Sequence, residues 1–167
     1  VAQNVLEVTK LAKGDFIWLV GDDDYLLPDA LDRLYIIMND PANQDIKFFY
    51  NNALKAANLD EEVTKGSNFD STGLKEILHR RENKKIEFLE LIDYKISWDF
   101  LGGMFMSIFE AKSWRASLDM IDHEQLLKPG TFSSLENTFI HLKIFPYAFS
   151  GCQAFINYNP LIIATSD

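Results

Sequence analysis

The stretch Gly14-Asp15-Phe16-Ile17-Trp18-Leu19-Val20-Gly21-Asp22-Asp23-Asp24-Tyr25-Leu26-Leu27-Pro28 decides how the rest of the chain is read. Five apolar residues in a row, 16–20, match a short strand buried on both faces, as in a parallel sheet. Gly14 supplies a natural stop for a helix before it. The apolar run ends abruptly in a glycine and three aspartates. Pro28 suits the first position of a following helix, and Asp29 and Asp32 fall in its first turn, where the helix dipole favours anions. Leu27, Leu31, Leu34 and Met38 form one apolar stripe, with Ala30 and Ile37 beside it. Asn39-Asp40-Pro41 breaks that helix, and residues 46–50 read as a second buried strand. Strand, helix, strand with short links is a βαβ unit, expected to cross over right-handed. The fold class is therefore α/β.

Upstream, Val1, Val5, Val8 and Ala12, with Leu11 beside them, recur at helical spacing up to about Lys13. No capping residue precedes Val1, so the chain reads as a piece of a longer protein. Downstream, residues 58–73 are polar and read as a long loop. Helices are expected near 74–81 and 84–94, a strand at 103–109, helices at 112–121 and 135–144, and two short strands at 154–158 and 161–164. Pro129-Gly130 is a turn signal. There is no internal repeat and no linker between two domains.

The chain has 167 residues, 47% of them hydrophobic and 13% aromatic, and a formal net charge of −9. That suffices for one domain with a real core and excludes disordered and low-complexity classes. The charge is concentrated: residues 15–45 hold eight Asp and one Arg. Such an acidic knot argues against nucleic acid as a partner, since that needs a basic surface. The single cysteine, Cys152, makes no internal disulfide, and no Cys/His cluster has zinc spacing. No apolar stretch reaches the roughly 20 residues of a membrane helix, and no signal peptide is evident.

Three aspartates just beyond a buried strand sit where open α/β sheets bind ligands, outside the carboxyl ends of strands. In an extended segment Asp22 and Asp24 would point together and Asp23 away, an arrangement a turn would change. Close carboxylates repel, and without a partner some take up protons. A divalent cation removes the conflict. Mg²⁺ or Mn²⁺ held by one or two carboxylates commonly completes its shell with phosphate oxygens and water. The competing reading is a solvated acidic turn capping the next helix.

Asn4, together with the run from Ala12 through Gly21-Asp22-Asp23-Asp24 to Pro28 and Leu31, resembles the central stretch of family 2 glycosyltransferases of the GT-A fold. That family has an upstream Asn in a helix, an A-x-G-[DE]-[FY]-[IL] run into the strand, an acidic DxD motif at its end, and a Pro opening the next helix. The variant with Gly before three Asp is similar to bacterial members that build surface polysaccharides. The resemblance covers residues 4–31 well and is loose beyond Tyr50.

What the resemblance implies is a Rossmann-like, nucleotide-diphospho-sugar transferase fold. Residues 1–167 would be one partial domain lacking the N-terminal nucleotide-binding half, with 1–54 a metal- and diphosphate-binding βαβ part and 55–167 the acceptor side. The implied reaction moves a sugar from a nucleotide-diphosphate sugar to a glycan or lipid-linked acceptor, with inversion. Asp22, Asp23 and Asp24 would hold Mn²⁺ or Mg²⁺ on the diphosphate, Asp22 also contacting the donor. Inverting members use a carboxylate at a later helix start as general base, a role matched by Glu136, with His141 as the alternative. Gly102 and Gly103 resemble the small-residue stretch near the donor sugar, and Trp98, Asp99 and Trp114 are candidates for the acceptor side. Each has a plain structural reading too: a first-turn acid for Glu136, a structural histidine, a strand start for the glycines, and core for the tryptophans. The basic cluster His79-Arg80-Arg81 with Lys84-Lys85 reads as a solvated helix face or as a contact to anionic lipid, which would place the protein in the cytoplasm at the inner face of the membrane.

Two other classes compete. A receiver-type domain phosphorylated on Asp also clusters acids after a strand, but here the acids after the second strand, Asp60 and Asp70, fall in a polar segment. A non-catalytic binding or scaffolding module would keep the fold without turnover.

Overall fold

A computed structural model describes residues 2–56, 74–79, 82–92, 100, 103–122, 124 and 135–165. Helix α1 (Ala2–Leu11) is followed by strand β1 (Phe16–Trp18), strand β2 (Tyr25–Leu26), helix α2 (Ala30–Asn39) and strand β3 (Phe48–Ala56). Short strands β4 (Lys75–Glu76) and β5 (Lys84–Glu87), strand β6 (Ser107–Glu110) and helix α3 (Ala111–Ala116) come next. Helices α4 (Leu135–Thr138) and α5 (Ile140–Phe149) and the long strand β7 (Gln153–Thr165) close the chain.

The strands form one sheet in the order β1-β6-β3-β7-β2, with β4 added to β3 and β5 to β7. The sheet is mixed, not parallel. β6 runs antiparallel between β1 and β3, and β3 pairs parallel with β7. The expected strand–helix–strand unit is present, but its two strands flank β6 instead of touching.

Side chains of β3 alternate between two packed faces, as a strand's period of two requires. Phe48 and Tyr50 enter a large cluster with Leu6 of α1, Trp114 of α3, and Phe145 and Phe149 of α5. Phe49 enters a second cluster with Ala30 and Leu34 of α2. Helices therefore cover both faces, which explains the apolar runs. In the larger cluster Phe48 meets Phe88, Phe145 and Phe149 edge-on, with ring centroids 4.9–5.3 Å apart, a favoured aromatic geometry.

Several expectations are corrected. α1 ends at Leu11, and its buried residues are Ala2, Leu6 and Thr9, while Val8 and Leu11 are exposed. Thr9 is tied down because its hydroxyl accepts from the Trp114 indole, 3.1 Å away, and donates to the Leu6 carbonyl. β1 is three residues long, and Val20 is exposed. α2 begins at Ala30, after Asp29 in a left-handed conformation (φ 61°). Its buried side chains are Ala30 and Leu34, while Leu31 faces water. The helices expected at 74–81 and 84–94 are strands β4 and β5 and a 3-10 helix, Phe88–Ile92; pairing with β3 and β7 overrides the local helical pattern. The basic cluster therefore has Lys84 and Lys85 on a strand, and Lys85 donates to the Ala42 carbonyl.

The expected strand at 103–109 starts as a 3-10 turn, Met104–Met106, before β6. The expected helix at 112–121 is α3 plus a 3-10 turn, Leu118–Met120. The single helix expected at 135–144 is broken at Phe139 (φ −124°, ψ 56°). The two short C-terminal strands are one, interrupted in its pairing: Asn51 pairs with Asn157, then Ala53 with Ile162. Pro160 lies in this interruption, where the ladder needs no donor from it. The polar segment 58–73 and the turn at Pro129-Gly130 lie outside the described residues.

Candidate functional site

The acidic triplet closes a turn, so the extended-strand alternation does not apply to it. The Asp24 N–H points back to the Gly21 carbonyl at 3.4 Å, and the Gly21 N–H donates to Asp24 Oδ2 at 2.9 Å. Gly21 leaves the inside of this turn open to the two carboxylates. A Cβ there would lie 2.6 Å from Asp23 Oδ1 and 2.9 Å from Asp24 Oδ2, well inside van der Waals contact. Asp23 and Asp24 thus converge on the space that glycine leaves empty, Asp24 half-buried and Asp23 exposed, as Asp22 is. The turn is pinned from β7, whose Thr165 hydroxyl donates to the Asp23 carbonyl at 3.1 Å. Partial burial raises the Asp24 carboxyl above its ordinary range; the charges of Asp23 and Asp22 push the same way, against backbone hydrogen bonds from Gly21 and Thr165.

A cavity of about 380 Å³ opens beside this turn, within the roughly 300–1,000 Å³ typical of small-molecule sites. Helix α1 lends Asn4, Val5 and Val8 to its wall, and the end of β1 leads into Leu19, Val20, Gly21 and Asp24. The 3-10 turn after Gly103 contributes Met104 and Phe105, and the α4–α5 junction contributes Thr138, Phe139 and His141. The Trp18 indole donates to the Phe105 carbonyl at 2.6 Å, fixing β1 against that turn. Gly103 is buried, and its carbonyl accepts from the Met106 N–H at 3.0 Å.

The break at Phe139 turns α5 so that His141 is 2% exposed and lies on the cavity wall. Its ring stands edge-on to Phe139 and Phe145. Glu136 lies in α4, two residues before Thr138. Asp24 and His141 are therefore brought to one cavity, with Gly103 at the start of the turn that lines it. Trp98, Asp99 and Gly102 lie outside the described residues. Trp114 is core, fully buried against Phe109 and Phe145.

No family model matches the chain, and no curated protein is similar to it. Among the described residues no helix is long and apolar enough to cross a membrane.

The donor set suits a hard cation, being oxygen only. Among the described residues no group of three or more His, Cys, Asp or Glu gathers to hold a metal by itself. Two carboxylates converging over Gly21 fit an ion that takes its remaining ligands from phosphate and water. Sequence reasoning missed Thr138, Phe139 and the aliphatic walls, because chain-distant apolar residues carry no local signature.

Proposed function

We propose that the chain is the metal- and acceptor-side part of a glycosyltransferase that moves a sugar from a nucleotide-diphosphate donor to a glycan or lipid-linked acceptor, on a GT-A-like fold. The observation that carries the reading is a single cavity shared by the acidic turn, Asn4 and the α4–α5 junction. Motif and cavity are independent of each other: one is local sequence, the other a product of distant segments meeting.

In this reading Asp23 and Asp24 hold Mn²⁺ or Mg²⁺ against the donor diphosphate, and Asp22 adds negative charge to the rim. The chemistry supplied at such a centre is stabilisation of the charge that develops on the departing nucleoside diphosphate. His141, on the cavity wall, or Glu136, on the adjoining helix, takes the proton of the acceptor hydroxyl as it attacks the anomeric carbon. Direct displacement then inverts that centre. The buried, aromatic setting of His141 excludes water from one side of the site. Action at the cytoplasmic face of a membrane follows from the kind of acceptor and is part of the same proposal.

Calorimetry on the chain with Mn²⁺ and a panel of nucleoside diphosphates, with inorganic pyrophosphate as the minimal probe, tests this. Metal-dependent binding that Asp24→Ala abolishes is the expected result, together with hydrolysis or transfer from the matching nucleotide sugar. Binding without turnover would favour a non-catalytic module, and no metal-dependent binding of any of these, pyrophosphate included, would overturn the reading.

A further inference from the structure

We infer that the cavity beside the acidic turn selects a donor whose sugar carries an apolar substituent, a 6-deoxy methyl or an acetamido methyl. The inference rests on the proposed role of the acidic turn in holding a diphosphate. Given that role, the cavity beside Asp24 holds the group at one end of the diphosphate, and because His141, a proposed base, lines the same cavity, that end is the transferred sugar and not the nucleoside. Its walls are unusual for a fully hydroxylated hexose. Val5 and Val8 face it from α1, Leu19 and Val20 from the end of β1, and Phe105 from the 3-10 turn.

A hydroxyl pressed against such a wall loses water and gains no partner, which costs binding. A methyl in the same place gains from leaving water. The polar side chains on the cavity, Asn4, Asp24, Thr138 and His141, suffice to orient a ring but not to pair every hydroxyl of an unmodified hexose. A lipid tail is the other apolar occupant to weigh. Asn4 and Asp24 stand on the same cavity, and an all-hydrocarbon tail would strip them of water without a hydrogen bond in exchange, whereas ring hydroxyls pair with them, which favours the sugar.

The test is calorimetric titration of the chain, in Mn²⁺, with matched donors: UDP-N-acetylglucosamine against UDP-glucose, UDP-N-acetylgalactosamine against UDP-galactose, and GDP-D-rhamnose against GDP-mannose. For the nucleotide that binds, the methyl-bearing member should bind at least about tenfold more tightly, the discrimination an apolar pocket gives for one such group. Val8→Asn, at a half-exposed position, should abolish that preference by weakening the methyl-bearing member. Pairs that bind within twofold, both weakened by Asp24→Asn, overturn the inference and leave the diphosphate reading standing. Farnesyl phosphate displacing both members equally well also overturns it, by assigning the cavity to a lipid. If neither pyrophosphate nor any nucleoside diphosphate binds with Mn²⁺, both readings fall together.

Discussion

Asn52 offers the sharpest quantitative test of how the fold is held. It is fully buried in β3, where the pairing with β7 skips from Asn157 to Ile162. Its Oδ1 accepts from the Leu78 N–H at 2.8 Å and the Ala53 N–H at 2.9 Å. Its Nδ2 donates to the Tyr158 carbonyl at 2.8 Å and more loosely to Glu76 Oε2 at 3.2 Å. Asn52→Leu keeps the volume and removes every one of these bonds. The Leu78 N–H and Tyr158 carbonyl then lose their side-chain partner inside the protein, at about 1–3 kcal/mol each. Apolar burial of the leucine returns about 1.5–3 kcal/mol, leaving a net loss of about 2 kcal/mol at the middle of both ranges. Equilibrium urea unfolding, followed by the fluorescence of buried Trp114, should show a midpoint lower by about 0.7–2 M for ordinary slopes of about 1–3 kcal/mol/M. Asn52→Asp keeps an acceptor but sets a charge against Glu76 and the Tyr158 carbonyl, so it should be at least as destabilised at neutral pH and recover on acidification. A leucine variant within about 0.3 kcal/mol of the native chain would refute the account, since that is inside the ordinary range for surface changes.

The site yields three more predictions. The raised Asp24 carboxyl means the folded chain binds that proton more tightly than the unfolded chain, so stability is lost as pH rises above its ordinary value of 3.8. Asp24→Asn should therefore raise the thermal midpoint at pH 7 and make no difference at pH 3, while Mn²⁺ should stabilise the native chain only. Gly21→Ala pushes a methyl between the Asp23 and Asp24 carboxylates and should weaken Mn²⁺ binding, read by electron paramagnetic resonance, by about 10–100-fold, with unchanged circular dichroism. Glu110 behaves oppositely to Asp24. Burial raises its pKa, but the Ser113 hydroxyl and backbone N–H and the Lys47 ammonium, 3.5 Å away, outweigh burial and hold it below 4.5. Its stabilisation is present at neutral pH and lost as pH falls below that value, so Glu110→Gln should flatten the acid limb of a stability–pH curve.

The centre of the fold was legible because its signals are local and agree. The apolar run at β1, the break at Asn39-Asp40-Pro41 and the two-faced burial of Phe48 to Tyr50 all follow from short-range rules. What stayed hidden depends on distant partners. Lys84–Glu87 is charged enough to pass for an exposed helix, and only β7 alongside makes it a strand. Asn51 and Asn52 lie beyond the expected end of the second strand at Tyr50, yet they are buried in β3, with Asn51 accepting from the Asn157 amide of β7. At the site the acidic residues were legible as a group, but which two converge was decided by the turn onto Gly21. That His141 would meet Asp24 could not be read from a span of more than a hundred residues.

The skipped register between β3 and β7 divides the sheet into two unequal territories. On one side, Phe48–Asn51 and Ala154–Asn157 form a ladder that also carries β5 and β6 and the aromatic core. On the other, among the described residues, Ala53–Ala56 and Ile162–Thr165 carry only β2 and β4, and Thr165 reaches the acidic turn. Asn52 is the stitch at the border. A seam of this kind lets the outer territory open without the inner one. Amide protons of Leu54 and Ile163 should then exchange ahead of those of Phe49 and Phe155. Under the proposed function, the strand residues that hold the acidic turn would shift around an incoming diphosphate while the hydrophobic interior stays closed.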